Sequence, residues 1–95
     1  MDKIVSTVKL TGFLAVPDSE ISLVQEYAPE HIRLSRAEPG CLKFEFWQDP
    51  ENPNKFLLDE LFKDRAAFDL HTARAKASEW GQISAHLTRH FIIEE

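Results

Sequence analysis

The chain has a single cysteine, Cys41, among its 95 residues. That excludes an internal disulfide and a thiolate zinc site, and it suits a reducing compartment. Only three glycines occur, Gly12, Gly40 and Gly81, widely separated. They cannot assemble a phosphate-cradling loop or a dinucleotide fingerprint. The eleven Lys and Arg residues form no run, and sixteen Asp and Glu bring the net charge to −5. A chain of that sign repels phosphate backbones, so nucleic acid is disfavoured as a partner. An anionic membrane surface likewise has little to hold. The opening segment MDKIVSTVKL has neither a long apolar stretch nor a small-residue cleavage site. It reads as neither a signal peptide nor a membrane span. The expectation is a cytoplasmic protein of one domain, residues 1–95.

Apolar residues are plentiful. They make up 43% of the chain, with seven Phe and two Trp, ample for a packed core. Residues 3–16 are rich in Val, Ile, Thr and Phe and predict a strand, with Ile4, Val8, Leu10, Leu14 and Val16 on one face. Asp18 or Ser19 can cap a helix, and Ile21, Val24, Ala28, Ile32 and Ser35 then recur at helical spacing. Pro29 interrupts that helix, and the Glu38-Pro39-Gly40 triplet ends it. CLKFEFWQ, residues 41–48, alternates as a strand, with Leu42, Phe44 and Phe46 facing one way and Cys41, Lys43, Glu45 and Trp47 the other. Residues 49–54 read as a turn and residues 55–62 as the return strand. Asp64 caps a second helix, residues 77–87 carry Trp80, Ile83 and Leu87 at helical spacing, and residues 88–95 close the chain as a strand.

The order β-α-β-β-α-(α)-β predicts an α+β fold of the ferredoxin-like, split-βαβ type, an antiparallel sheet with helices on one side. The other face would carry Phe13, Trp47, Leu57, Leu61, Phe91 and Ile93. That is too much apolar surface for a monomer to leave wet, so a homodimer formed through the sheet face is expected.

Two residues stand out chemically. His71 lies three residues after Phe68, on the apolar face of the second helix. It is either a core histidine with both nitrogens satisfied or a base at a cavity between helices and sheet. Glu60 shares a strand face with Phe56, Leu58 and Phe62, where an unpaired carboxylate is costly. It can pair with His71 and hold the imidazole in one tautomer, or with an arginine such as Arg36 or Arg74. His31 sits near the apolar stripe beyond Pro29. His86 and His90 have the spacing of a metal pair, but one ends a helix and the other begins a strand. No third ligand lies nearby in sequence, so no metal is expected. Cys41 has no base beside it and reads as an ordinary strand residue.

RAEPGCLKFEFWQDPENPNKF (residues 36–56) followed by FKDRAAFDLHTARAKASEWG (residues 62–81) resembles the antibiotic biosynthesis monooxygenase (ABM) domain, most of all its small quinol monooxygenases. The features are E-P-G-C, an aromatic-rich strand, a Pro/Asn turn, a strand bearing Glu, and A-F-x-x-H. The resemblance covers nearly the whole chain. It implies a dimeric α/β-barrel of two ferredoxin-like subunits, with a pocket between sheet and helices in each. It further implies oxidation of a small aromatic quinol or phenol with O2 and no bound cofactor. On that resemblance His71 takes the phenolic proton and Glu60 orients it, while Phe44, Phe46, Phe68 and Trp80 form the slot for a flat ring. Haem-degrading relatives carry a His near the position of Trp80 and an Asn in the first strand, and neither is present here. The alternative expectation is a non-catalytic dimer that binds a quinone or another small metabolite.

Overall fold

The computed structural model describes residues 6–95. Four strands, β1 (Val8–Ala15), β2 (Cys41–Asp49), β3 (Asn52–Phe62) and β4 (Thr88–Glu94), form one antiparallel sheet in the order β2-β3-β1-β4. Three helices, α1 (Ile21–Arg36), α2 (Arg65–Ala77) and α3 (Glu79–Ser84), complete the ferredoxin-like α+β architecture. Ile4 and Val5, expected in the first strand, lie outside the described residues.

The sheet's inner face follows the alternation of its strands. Val8, Leu10 and Leu14 of β1 join Phe44 of β2 and Phe56, Leu58 and Phe62 of β3 in one buried cluster under Val24 and Ala28 of α1 and Phe68 of α2. Phe44 and Phe62 are almost wholly excluded from solvent. Each contributes on the order of 2–3 kcal/mol of apolar burial. The β2–β3 hairpin is tighter than its composition suggests. Asp49 already pairs with Asn52, so the turn is Pro50 and Glu51.

Three local expectations are corrected. The first concerns β2, where a bulge between Cys41 and Lys43 shifts the register. Cys41 therefore packs against the core, while Leu42 turns out and is 57% exposed. The second concerns β4. Phe91 pairs with Gly12 and Ile93 with Leu10, so both lie on the inner face and Ile92 takes the outward place. The third concerns the entry to α1. The chain passes through a 3-10 turn, Asp18–Glu20, without a side-chain cap. Asp18 instead accepts a hydrogen bond from the Asn54 amide at 2.7 Å. Helix α1 runs on through Pro29 to Arg36. Asp64 does cap α2, accepting from the Ala67 N–H at 2.8 Å.

Among the described residues Gly12 alone has a positive φ. Its φ of 140° lies where L side chains are strained, and an added Cβ would sit 2.0 Å from the His90 carbonyl oxygen. That close approach seats β4 against β1 and carries Phe91 and Ile93 beneath the helices.

Candidate active site

Between the sheet and the α2–α3 pair lies a cavity of about 430 Å³. Its floor includes Leu10, Leu58, Glu60 and Phe91, and its roof Phe68, His71 and Trp80. Thr72, Lys76, Ala85, Arg89 and Ile93 also line it and are exposed, so its mouth opens beside β4. Phe46, Phe68 and Trp80 stand on its wall as the sequence suggested. Phe44 does not. It packs behind the site, with its ring centroid 5.3 Å from that of His31 and 5.4 Å from that of His71.

His71 is placed by α2, whose Asp64 cap sets the helix start one turn before Phe68. Its ring rests on Phe62 at 4.8 Å. Its Nδ1 lies 2.9 Å from Glu38 Oε1. A carboxylate can only accept there, so Nδ1 carries the proton and Nε2 is left with a lone pair. Glu38 is fixed in turn by Arg74, whose Nε donates to its second oxygen at 2.8 Å. Arg74 also donates to the Ser35 hydroxyl, which donates to the His31 carbonyl oxygen at the end of α1. The partner that orients His71 is therefore Glu38, not Glu60. In the sequence Glu38 reads only as part of a helix terminator.

Glu60 lies on the other side of the ring. Its Oε1 is 3.8 Å from His71 Nε2, too far for a hydrogen bond. Neither arginine proposed for it is there. Arg74 holds Glu38, and Arg36 meets the Phe44 carbonyl and Glu45. Glu60 is 3% exposed, and its carboxyl accepts no hydrogen bond among the described residues. Burial, with repulsion from Glu38 and Asp59, pushes it up to about 8. Burial also lowers His71, with the Glu38 carboxylate opposing the change. At neutral pH the contact is thus a carboxylic acid facing a neutral imidazole, not an ion pair.

The structure also brings in a residue given little weight from sequence. His31 of α1 lines the cavity, stacked on Trp80 with ring centroids 5.1 Å apart. Its Nδ1 is buried without a partner among the described residues. Burial foremost, then His71, Arg74 and Arg89, pushes it down to about 3, so it is a neutral wall residue. Helical spacing does put it on the buried stripe of α1, three residues after Ala28. That signal was available. His86 instead pairs with Glu20 at the surface, and His90 stacks on Phe13 on the opposite sheet face.

Residues 7–83 match the family described as antibiotic biosynthesis monooxygenase. The chain belongs to that family. A candidate antibiotic biosynthesis monooxygenase from Nitrosomonas europaea superposes with a TM-score of 0.82 at 21% identity, over 99% of this chain and 93% of that one. A conserved protein of unknown function from Bacteroides thetaiotaomicron gives 0.78 at 18% identity, over 97% and 99%. At those identities the likeness shows the fold. A crystal structure of an antibiotic biosynthesis monooxygenase gives 0.71 at 26% identity, over 92% and 93%. An uncharacterised protein of Synechocystis sp. is 45% identical over 40 residues, 42% of this chain. The chain spans about a quarter of that relative, the match covering 27% of its length. No helix of the described residues in this ABM domain is long and apolar enough to cross a membrane.

Proposed function

We propose that this ABM domain is a cofactor-independent monooxygenase that oxidises a small aromatic phenol or quinol with O2. The observation that carries the reading is the cavity itself. The free lone pair of His71 in its roof and the protonated carboxyl of Glu60 in its floor lie 3.8 Å apart. A substrate hydroxyl about 2.8 Å from each would bridge that gap.

The chemistry needs no electrons beyond those of the substrate. In the overall reaction a phenol with a free ring C–H and one O2 become a quinone and one water. His71 Nε2 takes the phenolic proton, and the Glu38 carboxylate stabilises the imidazolium. The phenolate gives one electron to O2, and the two radicals join in a ring C–O bond. The imidazolium protonates the distal oxygen, giving a hydroperoxide. His71, neutral again, removes the ring proton as the O–O bond breaks. Glu60 protonates the departing hydroxide to water, and the imidazolium then returns a proton to the Glu60 carboxylate. Phe46, Phe68 and Trp80 hold the ring and keep water from the radical pair.

The test is O2 uptake with a menadiol-type quinol or a naphthol, against heat-denatured protein. His71→Ala lowers the catalysed rate by about 10²–10⁴-fold while the circular dichroism spectrum is kept. An unchanged rate in the folded variant refutes the role of His71. No catalysed uptake together with tight quinone binding identifies a non-catalytic binding protein instead.

The outer sheet face supports a second copy as partner. Phe13, Leu57 and Leu61 are only half covered there, and Trp47 and Ile92 are exposed. Polar groups on that face pair within it, Lys43 with Asp59 at 2.7 Å and Lys55 over the Phe13 ring at 4.4 Å. Leu57→Asp is expected to convert a dimer to a monomer in light scattering. A monomer's mass for the unmodified protein refutes the pairing.

A further inference from the structure

The mouth of the cavity differs from the rest of the chain in charge. The protein is acidic overall, yet the charged groups at the mouth are Lys76 of α2 and Arg89 of β4. Neither has a carboxylate within 4.0 Å among the described residues. The one carboxyl on the cavity wall, Glu60, is held protonated and adds no negative charge to balance them. An enclosed apolar space with two uncompensated cations at its entrance focuses a positive potential inward.

Arg89 is more than a nearby charge. Its Nη1 donates to the Ser84 and Leu87 carbonyl oxygens at 2.8 and 3.1 Å, and its Nη2 to the Ser84 hydroxyl at 3.1 Å. These bonds close the C-terminal end of α3 and fix the guanidinium. They leave Nε–H and one Nη2 hydrogen without a partner among the described residues. Those two parallel donors match the two oxygens of a carboxylate. The register sets the spacing. Glu60 lies opposite Leu10 of β1 and Arg89 opposite Leu14, four residues further on. At strand rise that is about 14 Å along the sheet. Glu60 and Arg89 thus stand well apart along one cavity, with room between them for fused rings.

We propose that the cavity selects aromatic ligands bearing a carboxylate, which the fixed fork of Arg89 receives at the mouth with help from Lys76 while the ring hydroxyl reaches His71 and Glu60. The inference rests on the reading of this cavity as a substrate site and narrows it from aromatic phenols in general to acidic ones.

The test uses ligands that cannot react, so it stands whether or not O2 uptake is found. Binding of 2-naphthoate and of its neutral counterpart 2-naphthamide is compared by titration calorimetry on the full chain. The acid is expected to bind about tenfold more tightly at low salt, with the preference shrinking as salt is raised. Arg89→Gln brings the two affinities close to equality. Because Arg89 also closes α3, Lys76→Gln supplies a second variant at an exposed helical position. It lowers the preference about two- to threefold with α3 intact. Equal binding of acid and amide overturns the proposal, as does a preference unchanged in both variants. Failure of either ligand to bind overturns it too.

Discussion

Glu60 makes the stability of this protein fall as the pH rises, and the size of the effect follows from its surroundings. Its side chain is 3% exposed and gains, among the described residues, no hydrogen bond that would favour its charge. Its carboxyl is raised from an ordinary value of 4.5 to about 8. Below pH 4.5 the group is protonated in both folded and unfolded chains and is neutral in its effect. Above pH 4.5 the unfolded chain releases the proton while the folded chain keeps it, so folding carries a growing penalty until pH 8. At about 1.4 kcal/mol per pH unit the penalty reaches about 5 kcal/mol. Glu60→Gln keeps the shape and cannot ionise. The assay is urea denaturation of both proteins from pH 4 to pH 9. The stability of the variant relative to the parent should climb by about 5 kcal/mol between pH 4.5 and 8, and stay flat on either side. Taking the difference cancels every other titrating group outside this cluster. A relative stability that does not change with pH, or that falls, refutes the placement of Glu60 as a buried acid without a partner.

Three further outcomes are expected. His31 works from the acid side. Lowered to about 3 from 6.5, it supplies stability above pH 6.5 that is lost as the pH falls toward 3, about 5 kcal/mol in all, and His31→Phe should flatten that limb of the denaturation profile. Glu38→Gln removes a carboxylate held by His71 and Arg74 at 2.9 and 2.8 Å. It should cost about 2–4 kcal/mol in urea denaturation and should lower the His71 pKa further, read by NMR titration of its ring protons. Gly12→Ala forces a Cβ to within 2.0 Å of a backbone carbonyl oxygen at a φ of 140°. It should cost at least about 2 kcal/mol in stability, and tolerance of the alanine would contradict the seating of β4.

The sheet and its order were legible because alternation in residues 41–48 and 55–62 ties each side chain to a face. Alternation fails where adjacent residues are both apolar. Phe91, Ile92 and Ile93 give no parity of their own, and only the pairing of Gly12 with Phe91 decides which of them face inward. Leu42 and Cys41 exchange faces for a related reason, since a bulge has no signature in a simple alternating pattern. In the site, His71 and Glu60 could be picked out as polar residues in apolar stripes. Glu38 could not. It lies 33 residues from His71 along the chain, in a triplet whose proline and glycine account for its local structure. What makes it the orienting carboxylate is the packing of the end of α1 against α2, which no local periodicity records. Phe44 shows the converse. Its strand face was right, but burial behind the two histidine rings keeps it off the cavity wall.

Helix α3 is only six residues long, yet it supplies the outer wall of the cavity through Trp80. It is clamped at one end by the Ser78 hydroxyl, which accepts from the Gly81 N–H at 3.2 Å, and at the other by Arg89. The proton-handling residues Glu38, Glu60 and His71 stand on other parts of the chain. Gly81 is locked, because a Cβ there would meet the Ala75 carbonyl oxygen at 2.3 Å. Trp80 is held by its stacking on His31, whereas Ala85 is exposed. On the proposed reading, the pocket is a fixed chamber with one separate panel. Ala85, exposed on the cavity's rim, is the position where the space admitted can be changed without touching Glu38, Glu60 or His71.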